Sequence, residues 1–218
     1  MENLQSNLQE LGIPEIKLKH VNILFLDLSS SCTGYTLASV DFEAKKAKVT
    51  KIGAIWFDKY WNNQDKYHYI YRALTVYFNI IGQIDYCFAE AYMINPNKKM
   101  GCLVGPELHG AVQVALAEID IKYKTIAPQT WRSQLGIKGI KTASGSKDYK
   151  TPTKECVEQY IKIPETIISN ITKVERKTPN DVTDAVAICL GTLKKLGIEK
   201  FDFSEATIQE DFSTIMEN

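Results

Sequence analysis

The sequence predicts an α/β domain built on a mixed five-stranded sheet, a three-strand antiparallel meander plus two parallel strands, with helices on both faces. Three observations carry this. Val21 to Leu28 is a continuous apolar run, as expected of a central strand buried on both sides. Two more strand-like runs follow, separated by polar turns. Beyond them, segments with a 3.6-residue apolar period alternate with short strands.

Taken in order, the first strand ends in the turn Ser29-Ser-Ser-Cys-Thr-Gly34. Tyr35 to Val40 and Val49 to Phe57 read as strands joined by Asp41-Phe-Glu-Ala-Lys-Lys-Ala-Lys48. Residues 64 to 81 carry apolar or aromatic side chains at 67, 70, 74, 77, 78 and 81, the period of an amphipathic helix. The strand around Glu90 follows, then a helix over Val104 to Ile119 and a fifth strand over Lys122 to Ile126. Strands one, four and five are expected to run parallel. Pro128 opens a brief helix ending near Gly136. Residues 137 to 150, rich in Gly, Ser and Lys, can bury little and are expected as a mobile basic loop. Thr151-Pro152 and Thr178-Pro179 each set an N-cap residue before a proline, so helices are expected from about 152 and about 179. Gly197 stops the last helix. The domain is expected over residues 21–198, with an N-terminal extension at 1–20 and an acidic tail at 199–218.

At 218 residues, 44% hydrophobic and 24% charged, the composition is that of a globular protein with a full core. No stretch approaches the roughly 18 to 20 apolar residues of a membrane span, and the polar start Met1-Glu-Asn-Leu-Gln-Ser6 is unlike a signal peptide, so a cytoplasmic protein is expected. Cysteines at 32, 87, 102, 156 and 189 show no Cys-x-x-Cys spacing and lie in apolar patterns, which points to free thiols and away from zinc or disulfides. The 26 basic and 26 acidic residues cancel, but unevenly: residues 130–178 contain ten Lys or Arg against five Asp or Glu, and residues 202–218 contain five acids and no base.

Asp27 and Glu90 each interrupt an apolar strand, and Asp181 and Asp184 open the last helix. A carboxylate in a buried strand is costly unless a cation or hydrogen bonds offset its desolvation. Each acid also has a structural reading. Asp27 fits a cap on the Ser-rich turn, Glu90 a partner for a lysine, and Asp181 a group at the third position of a capped helix. Asp181 and Asp184, three apart, share one helix face. The carboxyl ends of adjacent parallel strands meeting the start of a covering helix are the usual ligand position in such sheets. Oxygen ligands alone suit Mg²⁺ or Mn²⁺, and two such ions about 3.5 to 4 Å apart cleave phosphodiesters.

Ile23-Leu-Phe-Leu-Asp27 with Gly34-Tyr35, Phe88-Ala-Glu90 and Asp181-Val-Thr-Asp-Ala-Val-Ala-Ile188, in that order, resemble the motifs of the RuvC-type Holliday junction resolvases of the ribonuclease H-like superfamily. The likeness spans about residues 21 to 195 and is to a phage-encoded branch. Ile126-Ala-Pro-Gln-Thr-Trp-Arg132, followed by Lys154, is similar to the stretch that brings basic residues to the scissile phosphate. Two departures stand out: Leu28-Ser29-Ser30 replaces the family's Pro-Gly-Ser, and the 137–150 segment is longer.

The resemblance implies a Mg²⁺-dependent endonuclease, a homodimer, that resolves four-way or branched DNA junctions into 5′-phosphate and 3′-hydroxyl nicks. Asp27, Glu90, Asp181 and Asp184 would hold two Mg²⁺ ions, with Mn²⁺ able to substitute. Lys154 would stabilise charge at the scissile phosphate; Arg132, Lys138, Lys141, Lys147 and Lys150 would contact DNA. Tyr92 or Met93 would be the aromatic or apolar wedge that unstacks bases. The lysines equally fit a solvated face, and the wedge pair equally fits core. Competing readings are a nuclease of the same fold for RNA-DNA hybrids or flaps, and a non-catalytic junction-binding module. An actin-like ATPase, which shares the Asp and Ser/Thr/Gly turn, needs two such domains and more residues than are present.

Overall fold

The structure is a computed structural model describing residues 19–78, 84–92 and 104–208. Met93 and Cys102 lie outside these residues, as does most of the N-terminal extension.

The predicted strands are β1 (His20–Leu28), β2 (Cys32–Asp41), β3 (Lys46–Trp56), β4 (Tyr86–Glu90) and β5 (Lys122–Ile126). β1 pairs antiparallel with β2 and parallel with β4, and β4 pairs parallel with β5. β1 is central because neither of its faces is polar. Val21, Ile23 and Phe25 enter one core and Leu24 and Leu26 the other, the period-2 alternation of a doubly covered strand. Helix α5 (Asn180–Lys195) covers the first core. Helices α1 (Asn63–Arg72) and α2 (Val104–Glu118) cover the second. Among the described residues, no helix is long and apolar enough to cross a membrane.

Several local expectations shift. The helix predicted over 64–81 is α1, capped by an Asn62–Asp65 capping box, followed by a π-helical turn at Ala73–Phe78. There Thr75 Oγ1 donates to the Tyr71 carbonyl in competition with the backbone. Helix α3 (Pro128–Gln134) starts at its proline as predicted. Helix α4 (Lys150–Glu158) begins two residues before Pro152, with Tyr149 rather than Thr151 at the N-cap position; Asp148, just before it, accepts from the Lys150 amide and the Thr151 hydroxyl. Thr178 does not cap α5 either; its hydroxyl donates to the Pro164 carbonyl and Pro179 takes the N-cap position. Asp181 therefore stands at the second helical position. Gly197, with φ +85°, follows the end of α5 as expected.

The basic segment 137–150 closes as a hairpin, β6 (Ile140–Lys141) with β7 (Lys147–Asp148). Its turn is knit by Thr142, whose hydroxyl meets those of Ser144 and Ser146. A second hairpin that the sequence did not announce, β8 (Thr166–Ile168) with β9 (Glu175–Lys177), separates α4 from α5. Residues assigned to the acidic tail add β10 (Lys200–Asp202) and β11 (Thr207–Ile208) to the outer edge of β3, giving a seven-stranded sheet in the order β10-β3-β2-β1-β4-β5 with β11 also on β3. Lys46–Asp202 at 3.1 Å and Lys45–Glu199 at 2.6 Å secure this strap, and Phe201 packs edge-on against Tyr160.

Candidate active site

The β1–β4 register builds the site. Phe25 and Phe88 are register partners with stacked rings 5.8 Å apart in the α5-side core. Two residues on, the same face presents Asp27 on β1 and Glu90 on β4, side by side at the carboxyl ends of parallel strands. Across the other ladder Asp27 pairs with Gly34 of β2. A Cβ at Gly34 would overlap the Asp181 carbonyl and lie 2.8 Å from the Val182 amide nitrogen. Only glycine there lets the start of α5 settle on the sheet, and that contact carries Asp181 and Asp184 to Asp27.

The electrostatics show that the acids share one place. Burial, then Asp184, Asp181 and Glu90, push Asp27 well above the ordinary carboxylate range, against Arg132. Burial pushes Glu90 up to about 7, with Arg132 opposing and Asp184 adding. Asp184 is pushed up to about 6 by burial and by Asp181, with Arg132 and Lys150 opposing. These are the effects of desolvation and like charge that a carboxylate cluster produces.

Arg132 is the cation inside the cluster. Its Nη2 lies 3.6 Å from Glu90 Oε1, and the guanidinium sits 4.7 Å from the ring centroids of both Trp131 and Tyr149. Its Nε is buried with no hydrogen-bond partner among the described residues. The adjoining Trp131 is fully buried against Gly191 of α5, where a Cβ would come within 2.5 Å of the Trp131 carbonyl oxygen. Arg132 thus sits on a helix seated firmly against α5.

Cys32 is a neighbour the sequence offered only as a buried thiol. Its Sγ donates to Asp181 Oδ2 at 3.2 Å, and burial together with Asp181 pushes the thiol pKa up, which keeps the proton in place. The β1–β2 turn is closed by Ser29, whose hydroxyl donates to the Cys32 carbonyl, so the turn-capping alternative for Asp27 is not what the structure displays.

The basic residues divide. Lys150 and Lys154 of α4 line a groove of about 440 Å³ together with Thr183 and Asp184 of α5, and Lys154 also reaches Glu158 at 3.7 Å. Lys138 precedes the β6–β7 hairpin, whose strands carry Lys141 and Lys147, and all three side chains are exposed. Tyr92 is 36% exposed, with its ring against Gly105 at the start of α2. Met93 lies outside the described residues.

Among the described residues, no three Asp, Glu, His or Cys side chains are posed around a common ion position. Glu90 turns to Arg132, and Asp181 to Cys32. The donor chemistry nevertheless fits a hard divalent cation. The donors are four carboxylates with one guanidinium among them, and burial, with the like charge of the neighbouring acids, holds Asp27, Glu90 and Asp184 toward their protonated forms.

No family model matches the sequence, and no curated protein matches it either. Solved structures do match. Thermus thermophilus RuvC in complex with a Holliday junction substrate superposes with a TM-score of 0.53 at 13% identity, over 82% of this chain and 97% of that one. The yeast mitochondrial Holliday junction resolvase gives 0.54 at 13% identity over 90% and 93%. The fowlpox virus resolvase with its substrate Holliday junction DNA gives 0.50 at 16% identity over 81% and 99%. The chain has the ribonuclease H-like fold of these resolvases.

Proposed function

We propose that this chain is a metal-dependent endonuclease that cuts branched DNA, with four-way junctions as its substrate. The observation that carries the reading is the convergence of Asp27, Glu90, Asp181 and Asp184 from two strands and a helix, each of the first two at the carboxyl end of a parallel strand. The shared fold with junction-bound resolvases supports the substrate class.

Asp27, Glu90, Asp181 and Asp184 would hold two Mg²⁺ ions, for which Mn²⁺ can substitute. Ions held there would supply water activation and charge neutralisation at the leaving 3′ oxygen, the chemistry that would give 5′-phosphate and 3′-hydroxyl ends. The chain's own groups do the rest. Lys154 and Lys150 face Asp184 across the groove, where an ammonium stabilises charge developing on a phosphate oxygen. Arg132, held against two rings, presents a planar donor that would bind a phosphate oxygen beside Glu90. Lys138, Lys141 and Lys147 add positive charge along the β6–β7 hairpin, and Tyr92 borders the same end of β4. A four-way junction is two-fold symmetric, so paired nicks call for two copies of this site in a homodimer.

The test is a labelled four-way junction incubated with Mg²⁺ or EDTA, beside flap and RNA-DNA hybrid controls. Symmetric nicking that needs Mg²⁺ and disappears in Asp27→Asn, while junction binding persists, is the expected result. Full-rate nicking by Asp27→Asn, or preferential cutting of a control substrate, overturns it.

A further inference from the structure

The β8–β9 hairpin projects from the same end of the sheet as the carboxylates. Asn170, in its loop, is 6% exposed and bolts it down: Oδ1 accepts from the Trp56 amide at 2.8 Å, and Nδ2 donates to the Tyr69 hydroxyl at 2.9 Å. Trp56 is the register partner of Cys32, the residue bonded to Asp181. Fully buried Ser169 closes the loop, its hydroxyl accepting from the amides of Ile171 and Thr172. The hairpin is therefore fixed in place beside the acids.

What it presents outward is unlike a core-facing element. All of Glu175, Arg176 and Lys177 are exposed, and among the described residues Arg176 and Lys177 form no ion pair. A groove of about 450 Å³ runs between this hairpin and α4, lined by Lys154 and Glu158 of α4 and by Glu165, Lys177, Asn180 and Thr183. It shares Lys154, Asn180 and Thr183 with the groove that reaches Asp184. The two grooves join at these residues, so a path leads from the acids to the hairpin along which Lys150, Lys154 and Lys177 alternate with Glu155, Glu158 and Glu165 and with hydroxyl and amide donors. Protein contacts to a nucleic acid backbone use this donor set.

We propose that the β8–β9 hairpin is a second contact for the sugar-phosphate backbone of the DNA that flanks the cut phosphate, through Lys177 on its groove face and Arg176 on the opposite face. The assignment rests on the nuclease reading above. It gives the hairpin a positioning and affinity role and no part in bond cleavage.

Binding of a fluorescein-labelled four-way junction to full-length Asp27→Asn protein, across a salt series, tests it. Adding Arg176→Glu with Lys177→Glu is expected to weaken binding about tenfold and to make the slope of log affinity against log salt shallower by roughly two. A melting curve equal to the parent's separates lost contact from lost fold, and Arg176→Gln with Lys177→Gln replaces the reversal if that curve shifts. Unchanged affinity and slope overturn the hairpin contact alone. So does a change in oligomeric state by light scattering with an unchanged slope, which assigns the hairpin to a second copy of the chain. A parent protein that does not bind the junction removes the nuclease reading and this one together.

Discussion

Asp27 and Gly34 face each other across the first hairpin, and the missing side chain at Gly34 is what lets Asp181 arrive beside Asp27. Gly34→Ala is thus expected to damage the site from a position that touches no ligand. The added methyl meets backbone, which cannot rotate away, so the start of α5 must lift. Overpacking of this kind destabilises by about 1–3 kcal/mol. A lower melting temperature together with loss of Mg²⁺-dependent nicking is the expected pair of results, and a variant with parental nicking would show that α5 is not held by this contact.

The carboxylates oppose folding when no cation is present. Glu90 rises from 4.5 to about 7 and Asp184 from 3.8 to about 6. Between those limits the unfolded chain has released protons that the folded chain retains. Stability in EDTA therefore falls as pH rises from about 4 to about 7, and the loss is complete above the folded pKa values. Melts across that range are expected to show the decline. Glu90→Gln and Asp184→Asn should each flatten it and raise the melting temperature at neutral pH, while removing nicking. Millimolar Mg²⁺ should restore stability to the parent and do less for the variants.

Cys32 orients Asp181 through a thiol hydrogen bond. Groups that orient a metal ligand typically change metal affinity about 10–100-fold when removed. Cys32→Ala is expected to raise the Mg²⁺ concentration for half-maximal nicking about tenfold, with Cys32→Ser, which keeps a donor, closer to the parent. A Mg²⁺ titration in which all three proteins coincide would leave Cys32 as packing only.

In the proposed reaction Lys154 would act through charge alone, since its side chain is 66% exposed and it pairs with Glu158 on its own helix. Exposed pairs of that sort contribute little to stability, about 0.3–0.5 kcal/mol for this spacing. Lys154→Ala should melt with the parent yet cut more slowly by about 10²-fold, the scale of losing one donor to developing charge. A purely structural lysine would show the opposite pattern.

The large elements were legible because strand and helix periods fix which side chains share a face. Asp27 follows Phe25 and Glu90 follows Phe88 by two residues, so pairing of the two strands was enough to bring the acids together. The contacts that complete the site were not legible. Cys32 bonding to Asp181, and Tyr149 stacking on Arg132, join residues far apart in the chain whose meeting depends on packing rather than period. The helix starts moved because Asp148 holds the Lys150 amide and the Thr151 hydroxyl, and because Thr178 found the Pro164 carbonyl. The β8–β9 hairpin escaped because strands of three residues are too short to display alternation, even though Ile167 is buried and Ile168 is 55% exposed.

The strap at residues 200–208 has a consequence for assembly. It pairs with Lys46–Lys48 and Lys51–Ile52 on the outside of β3, the longest strand of the sheet, a stretch of edge that would otherwise invite a passing chain to add to it. A protein cut back to Glu199 should therefore stick to itself through that bared rim, and on the proposed reading two intact copies would meet through some other surface.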